Sequence, residues 1–202
     1  DVISAARKLF ENEVNAVTDN PLVFPDEDKV VSAGNFHGQP LALTLDHLTL
    51  AIHELASISE RRTFKLMSGT RNLPAFLAKD PGLNSGYMIA QYTAASLVSM
   101  NKQLTTPSSA DNADSSNGQE DHVSMGANAA LKLWKVIDNA EQVLAIEALC
   151  AAQASDLGEM SGLGSMSPKL MKLQESLREK VPFLAKDAYM APLLGDALSW
   201  IK

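Results

Sequence analysis

Residues 40–66 read PLALTLDHLTLAIHELASISERRTFKL, and their spacing decides the fold class. Leu41, Leu45, Leu48, Ile52 and Leu55 recur at alternating intervals of four and three. That is the stripe of a helix packed along another helix. Pro40 suits the first helical turn, where its missing N–H is no loss. A second stripe of Leu43, Leu50 and Ile58 lies on another face. The helix is therefore expected to run to about Leu66 and to be contacted on more than one side.

The flanking sequence repeats the pattern. Residues 1–14 read as a helix with Ile3, Ala6, Leu9 or Phe10, and Val14 on one face, stopped by Thr18-Asp19-Asn20-Pro21. Residues 22–31 are extended or looped, with a charged tip, and 32–40 form a second turn-rich stretch. Residues 68–83 are a connection with one short helical turn expected at 74–78. Residues 84–101 are a helix capped by Asn84 or Ser85, whose small residues Ala90, Ala94, Ala95, Ser96 and Ser99 allow close helix contact. A polar loop occupies 104–118. Residues 126–154 are a helix with a seam of Leu133, Ile137, Ala140, Leu144, Glu147 and Ala151. Glu147 on that seam needs a partner or an oligomer contact. After a Gly/Ser/Met break at 158–167, two shorter helices are expected at 168–181 and 188–201. No stretch alternates like a strand over a useful length, so the class is all-α, a long-helix bundle.

Composition narrows the function. Only 5% of the 202 residues are aromatic, and Ala, Leu and Met abound, which favours helix. The net charge of −7, with no basic run, argues against nucleic acid and anionic membranes as partners. No apolar run approaches a membrane span, and no signal peptide is recognisable. A single cysteine, Cys150, excludes a disulfide framework and suits a reduced, cytoplasmic setting. The chain opens mid-pattern with DVISAARKLFENEV and no initiator Met, so it reads as part of something longer.

The densest chemistry lies at residues 116–125, SNGQEDHVSM, at the mouth of the 126–154 helix. Glu120 and Asp121 are neighbours and point apart, so they do not form an acid–base dyad. His122 has loop carboxylates such as Asp111 or Asp114 within sequence reach. His47 and His53 are six apart on one helix and do not share a face, and no His/Cys metal spacing occurs, so no metal site is expected. Cys150 sits among Leu149, Ala151 and Ala152 and reads as a structural thiol. The amides at turns, Asn20 and Asn35 among them, are each explained by turn chemistry. Met88 reads as core.

Five stretches in register resemble the histidine ammonia-lyase family, within the aromatic amino acid lyases. They are NEVNAVTDNPLVF (12–24), GNFHGQP (34–40), SERR (59–62), NSGYMIAQYTAASL (84–97) and QEDHVSM (119–125). VPFLAKDAYMAP (181–192) resembles the family's C-terminus. The resemblance covers nearly the whole chain and corresponds to the C-terminal part of such an enzyme. It implies that residues 1–157 are the C-terminal portion of a central helical-bundle domain, with 158–202 a terminal short-helix segment packing on it.

It further implies elimination of ammonia from L-histidine to trans-urocanate, in a cytoplasmic homotetramer with no nucleic-acid or membrane partner. The electrophile would be a methylidene-imidazolone cyclised from Ala-Ser-Gly. No Ala-Ser-Gly occurs here, so it and the family's catalytic tyrosines and substrate-carboxylate arginine are implied upstream, and this chain alone is expected to be inactive. Asn20, Phe36, Met88, Gln119 and Glu120 match substrate-binding positions. Phenylalanine lyases carry Lys at the Met88 position and Gln at that of Glu120, so this pair implies histidine as substrate. The sequence departs from many bacterial relatives at Asn117-Gly118, where they read Ala-Asn. That leaves open another aromatic amino acid lyase or aminomutase. A non-catalytic helical assembly module is the reading from a different class. Loss of the N-terminal half would bare apolar helix faces, so the isolated chain is expected to self-associate.

Overall fold

A computed structural model describes residues 1–160 and 166–202. Among these, six α-helices carry the fold: α1 (Val2–Val14), α2 (Gln39–Leu66), α3 (Met88–Leu104), α4 (Gly126–Met160), α5 (Pro168–Arg178) and α6 (Met190–Ile201). The all-α reading holds, with one addition. Leu22–Phe24 (β1) and Lys29–Val31 (β2) pair antiparallel, with Val23 opposite Val30, across the Pro25–Glu27 turn. Asp28 closes that turn at φ 47°. Three residues per strand are too few for alternation to register in sequence.

The chain divides into two compact units, Asp1–His53 with Lys102–Ile137, and Glu54–Asn101 with Asp138–Lys202. The division falls inside α2, α3 and α4.

In the first unit Ala6, Leu48 and Leu133 form the core, joined by Val2, Phe10, Leu45 and Ile52. Ile3 and Val14, expected on α1's buried face, are exposed. Asp46 is 4% exposed and is the unit's main polar anchor. Its carboxylate accepts from the Ser109 N–H at 2.8 Å and pairs with Lys132 Nζ at 3.1 Å. Lys132 also donates to the Thr106 carbonyl. The polar loop is thus tied down at its start.

Burial alone would raise the Asp46 carboxyl, but the Ser109 N–H and hydroxyl, Lys132 and Ser108 together outweigh it and leave the group below its ordinary value. A carboxyl lowered by folding stabilises above its unfolded pKa and loses that contribution as pH falls through the folded value. Asp46→Asn should therefore cost stability at neutral pH, and its deficit should shrink on acidification below about pH 4. Thermal melts of the two proteins across that range check this.

In the second unit Gln153, fully buried, joins three segments. Its amide donates to the carbonyls of Leu184 (2.8 Å) and Leu77 (3.4 Å) and accepts from the Leu184 N–H (3.2 Å). Arg178 clamps the chain after α5 by bonding Asp156 and the Val181 carbonyl. Glu147 has the partner its position demanded. Arg62 holds it through two nitrogens and Ser59 Oγ donates to it at 2.6 Å. Cys150 is fully buried, and burial pushes its thiol up, away from thiolate chemistry.

Several expectations are corrected. Residues 74–78 form no helix, because Phe76 and Leu77 take φ of 57° and 54°. The third helix begins at Met88 rather than at 84. Ser85 and Gly86 instead donate their N–H groups to the Asp187 carboxylate, at 2.9 and 2.8 Å. Helix α4 runs through Gly158 to Met160, so the expected break does not start at 158; residues 161–165 lie outside those described.

The largest correction concerns faces. On α4 the buried line is Ala129, Leu133, Val136, Ala140, Val143 and Cys150, while Ile137 and Leu144 are exposed. On α2 the most buried positions are Ala42, Asp46, Thr49, Ala56, Ser59, Glu60 and Thr63. Leu43, Leu50, Leu55 and Ile58 stand bare. A helix apolar around most of its circumference offers more than one four–three seam, and spacing alone does not choose between them. This helix is also apolar and long enough, by composition, to cross a membrane. That differs from the expectation that no run approaches a span, because the polar residues between its leucines hide the stretch from a run-by-run reading.

Bare leucines on α2, with Leu131, Trp134, Ile137 and Leu144 on α4, favour association of the isolated chain. Sedimentation at micromolar concentration should show oligomers; a single monomeric species would contradict this.

Candidate functional site

The site residues matched by resemblance fall in both units. Asn20, Phe36, Gln119 and Glu120 belong to the first, and Met88 to the second.

Phe36 sits on the Asn35–His37 turn that leads into α2. The turn closes on Gly38 at φ 66°, a conformation glycine takes without strain. Phe36 is 42% exposed, and its ring rests on the His37 ring, centroids 4.2 Å apart. Asn20 supports the same stretch from upstream. Its side-chain carbonyl accepts from Ser32 Oγ (3.1 Å) and the Ala33 N–H (3.3 Å). Its Nδ2 makes no hydrogen bond among the described residues and is open to a ligand.

Gln119 and Glu120 leave a tight turn at Ser116–Gly118. Ser116, Asn117 and Gly118 all have positive φ, of 50°, 58° and 81°. Asn tolerates this region and Gly has no penalty there. Asn117 and Gly118 both suit these angles, whereas an Ala at 117 would be strained at φ 58°. Two reciprocal backbone bonds between Ser115 and Glu120, 2.8 and 3.2 Å, clamp the turn. The side chains of Gln119 and Glu120 are exposed and make no hydrogen bond or ion pair among the described residues. Backbone bonds close the turn, and its two side-chain acceptors are unused.

Asn112 braces residues 121–123 with two further bonds. It donates to the Asp121 carbonyl at 3.1 Å and accepts from the Val123 N–H at 3.0 Å. His122 does not pair with Asp111 or Asp114. Its Nε2 meets Gln39 Oε1 at 2.9 Å, and its ring stands edge-on to His37 at 5.3 Å. Ser124 Oγ donates to the His37 carbonyl at 2.5 Å. The turn bearing Glu120 is thereby stitched to the turn bearing Phe36. Local spacing gives no sign of these stitches, because the partners lie more than 80 residues apart. Their only trace is that His37, Gln39, His122 and Ser124 all fall inside two of the resembling motifs.

Met88, half-buried, is the first residue of α3. Its approach is set by Gly86 and Asp187, and by Asn84 Oδ1, which accepts from the Asp187 N–H at 3.1 Å. Asp187 carries no sequence signal as a capping group, because it acts from across the sequence. Among the described residues no group of three or more His, Cys, Asp or Glu could hold a metal.

What these loops offer is recognition: an open aromatic face, free amide and carboxylate acceptors, and a free amide N–H. The fold that carries them is that of the helical ammonia-lyases and aminomutases. Histidine ammonia-lyase from Trypanosoma cruzi matches with a TM-score of 0.92 and 44% identity over 98% of this chain and 39% of its own. Tyrosine aminomutase from Streptomyces globisporus matches with 0.92 and 36% identity over 98% and 38%. The chain belongs to the aromatic amino acid lyase family, whose match covers residues 1–179. The histidine ammonia-lyase of Treponema denticola is 55% identical over 100% of this chain and 39% of its own length. The chain spans 36–39% of the length of the relatives it matches.

Proposed function

We propose that this chain is the C-terminal part of a histidine ammonia-lyase and supplies the side-chain end of its active site. The complete enzyme removes ammonia from L-histidine to give trans-urocanate. The observation that carries this reading is the free carboxylate of Glu120 on a clamped turn, stitched to the turn that presents Phe36. Identity of about half to histidine ammonia-lyases supports it further.

The chemistry of the pair suits an imidazole. Its N–H can donate to Glu120, and such a charge-assisted bond is worth about 1.5–3 kcal/mol net. Its π face can lie on Phe36. A phenyl ring has no donor and would leave the carboxylate desolvated and unpaired. Gln119 offers an amide beside that carboxylate and Asn20 a free N–H. Met88, by resemblance, supplies an apolar wall.

The methylidene-imidazolone, formed from an Ala-Ser-Gly sequence outside this chain, would activate the substrate amine for elimination. The residues present here fit that division of labour. They are acceptors and an aromatic face for binding, with no activated nucleophile among them. This chain's own work is to hold the ring and exclude ligands without a donor. Alone it is expected to be inactive. The homotetrameric state and the cytoplasmic setting belong to the same proposal.

The full-length protein, given L-histidine, should release ammonia and develop the ultraviolet absorbance of urocanate. Ammonia release from phenylalanine or tyrosine, with histidine untouched, would overturn the reading.

A further inference from the structure

The two turns of the site are joined by side chains the reaction itself does not call on. His122 and Ser124 both bond the 37–39 segment, His122 to Gln39 and Ser124 to His37. Alternate residues facing one neighbour is the pattern of an extended segment. Glu120 precedes His122 by two residues on this segment, so the bond that seats His122 also seats the backbone that carries Glu120. His37 completes the contact: its ring meets both the Phe36 ring and the His122 ring.

We infer that His122, through Gln39, is a positioning residue that sets where the Glu120 carboxylate stands relative to the Phe36 ring, and so sets specificity for a substrate ring that carries an N–H. This rests on the functional reading above. His122 itself touches no substrate. Its effect passes through Glu120, and that is what separates it from a residue that only holds the fold. A second route to the same bond is Gln39, which opens α2 just after the Phe36 turn and can be changed without altering the Glu120 segment. Ser124 is less suited as a probe, since its Oγ also accepts from the Gly126 N–H at the start of α4 (3.4 Å).

The test is a mutant cycle in the full-length enzyme: His122→Ala, Gln39→Met, Glu120→Gln, and each of the first two combined with the third. The readouts are kcat and KM for histidine and the inhibition constant of urocanate. His122→Ala and Gln39→Met should each lower kcat/KM by about ten-fold, the scale of one lost hydrogen bond, and weaken urocanate by a similar factor. In the Glu120→Gln background both should have little further effect, because their route is already cut. Losses that multiply across the cycle would overturn the inference, as would unchanged kinetics in both single variants. If His122→Ala fails to fold, Gln39→Met decides alone. A wild-type enzyme that leaves histidine untouched sinks the functional reading first and this inference with it. A wild-type enzyme that makes urocanate while the cycle is additive sinks this inference alone.

Discussion

Glu120→Gln in the full-length enzyme should lower kcat/KM for histidine by about ten- to a hundred-fold, the range of one charge-assisted hydrogen bond. The Glu120 carboxylate has no hydrogen-bond partner among the described residues, so nothing else compensates for the lost charge. The substitution keeps the shape and leaves the backbone clamp to Ser115 intact. Melting behaviour should therefore stay within a few degrees of wild type. Discrimination should change most. Glutamine removes the unpaired charge that penalises a phenyl ring, so the ratio of kcat/KM for histidine over phenylalanine should fall further than histidine turnover itself. Steady-state kinetics on both substrates check this. Unchanged histidine kinetics would remove Glu120 from the site.

Gly86→Ala is expected to be strongly damaging, more so than the same change at the other described glycines. Gly86 has φ 55°, and a Cβ there would overlap the Phe76 carbonyl oxygen and press on Ala78. That carbonyl is not free to move, because it accepts the Tyr87 N–H at 2.9 Å, and Tyr87 is buried. The Gly86 N–H is in turn held by Asp187. Left-handed strain and overpacking together should cost roughly 3 kcal/mol or more. The start of α3, and with it Met88, would shift. Thermal inactivation of the full-length protein should move down by many degrees. Gly195→Ala is the control: it lies within α6 with nothing within 4 Å of an added Cβ, and should be neutral or slightly stabilising. Equal effects at the two glycines would contradict the packing described for Gly86.

These predictions depend on contacts of very different legibility. The long helices are readable because four–three spacing and Pro40 are local signals. Which face each helix buries is not, since α2 and α4 are apolar most of the way round. The buried line of α2 even carries Asp46, Thr49, Glu60 and Thr63, and the carboxylates among them find partners far off in sequence. Glu147 is readable as a residue needing a partner; that Arg62 and Ser59 supply it is not. The turn at 74–78 passes for helix because positive φ at Phe76 and Leu77 leaves no mark on residues that usually avoid it. At the site, physics alone gives Gln119 and Glu120 no role beyond a helix mouth, and resemblance supplies the role. The structure adds the clamp that leaves their side chains unused, and it pairs His122 with Gln39 in place of a loop carboxylate.

The central claim is that this chain's free carboxylate selects an imidazole side chain. The most direct measurement offers the full-length enzyme an equimolar mixture of histidine, phenylalanine and tyrosine and identifies the first product by mass. Urocanate, with the other two amino acids unconsumed, is the expected result. Cinnamate, coumarate or a rearranged amino acid appearing ahead of urocanate would contradict the claim.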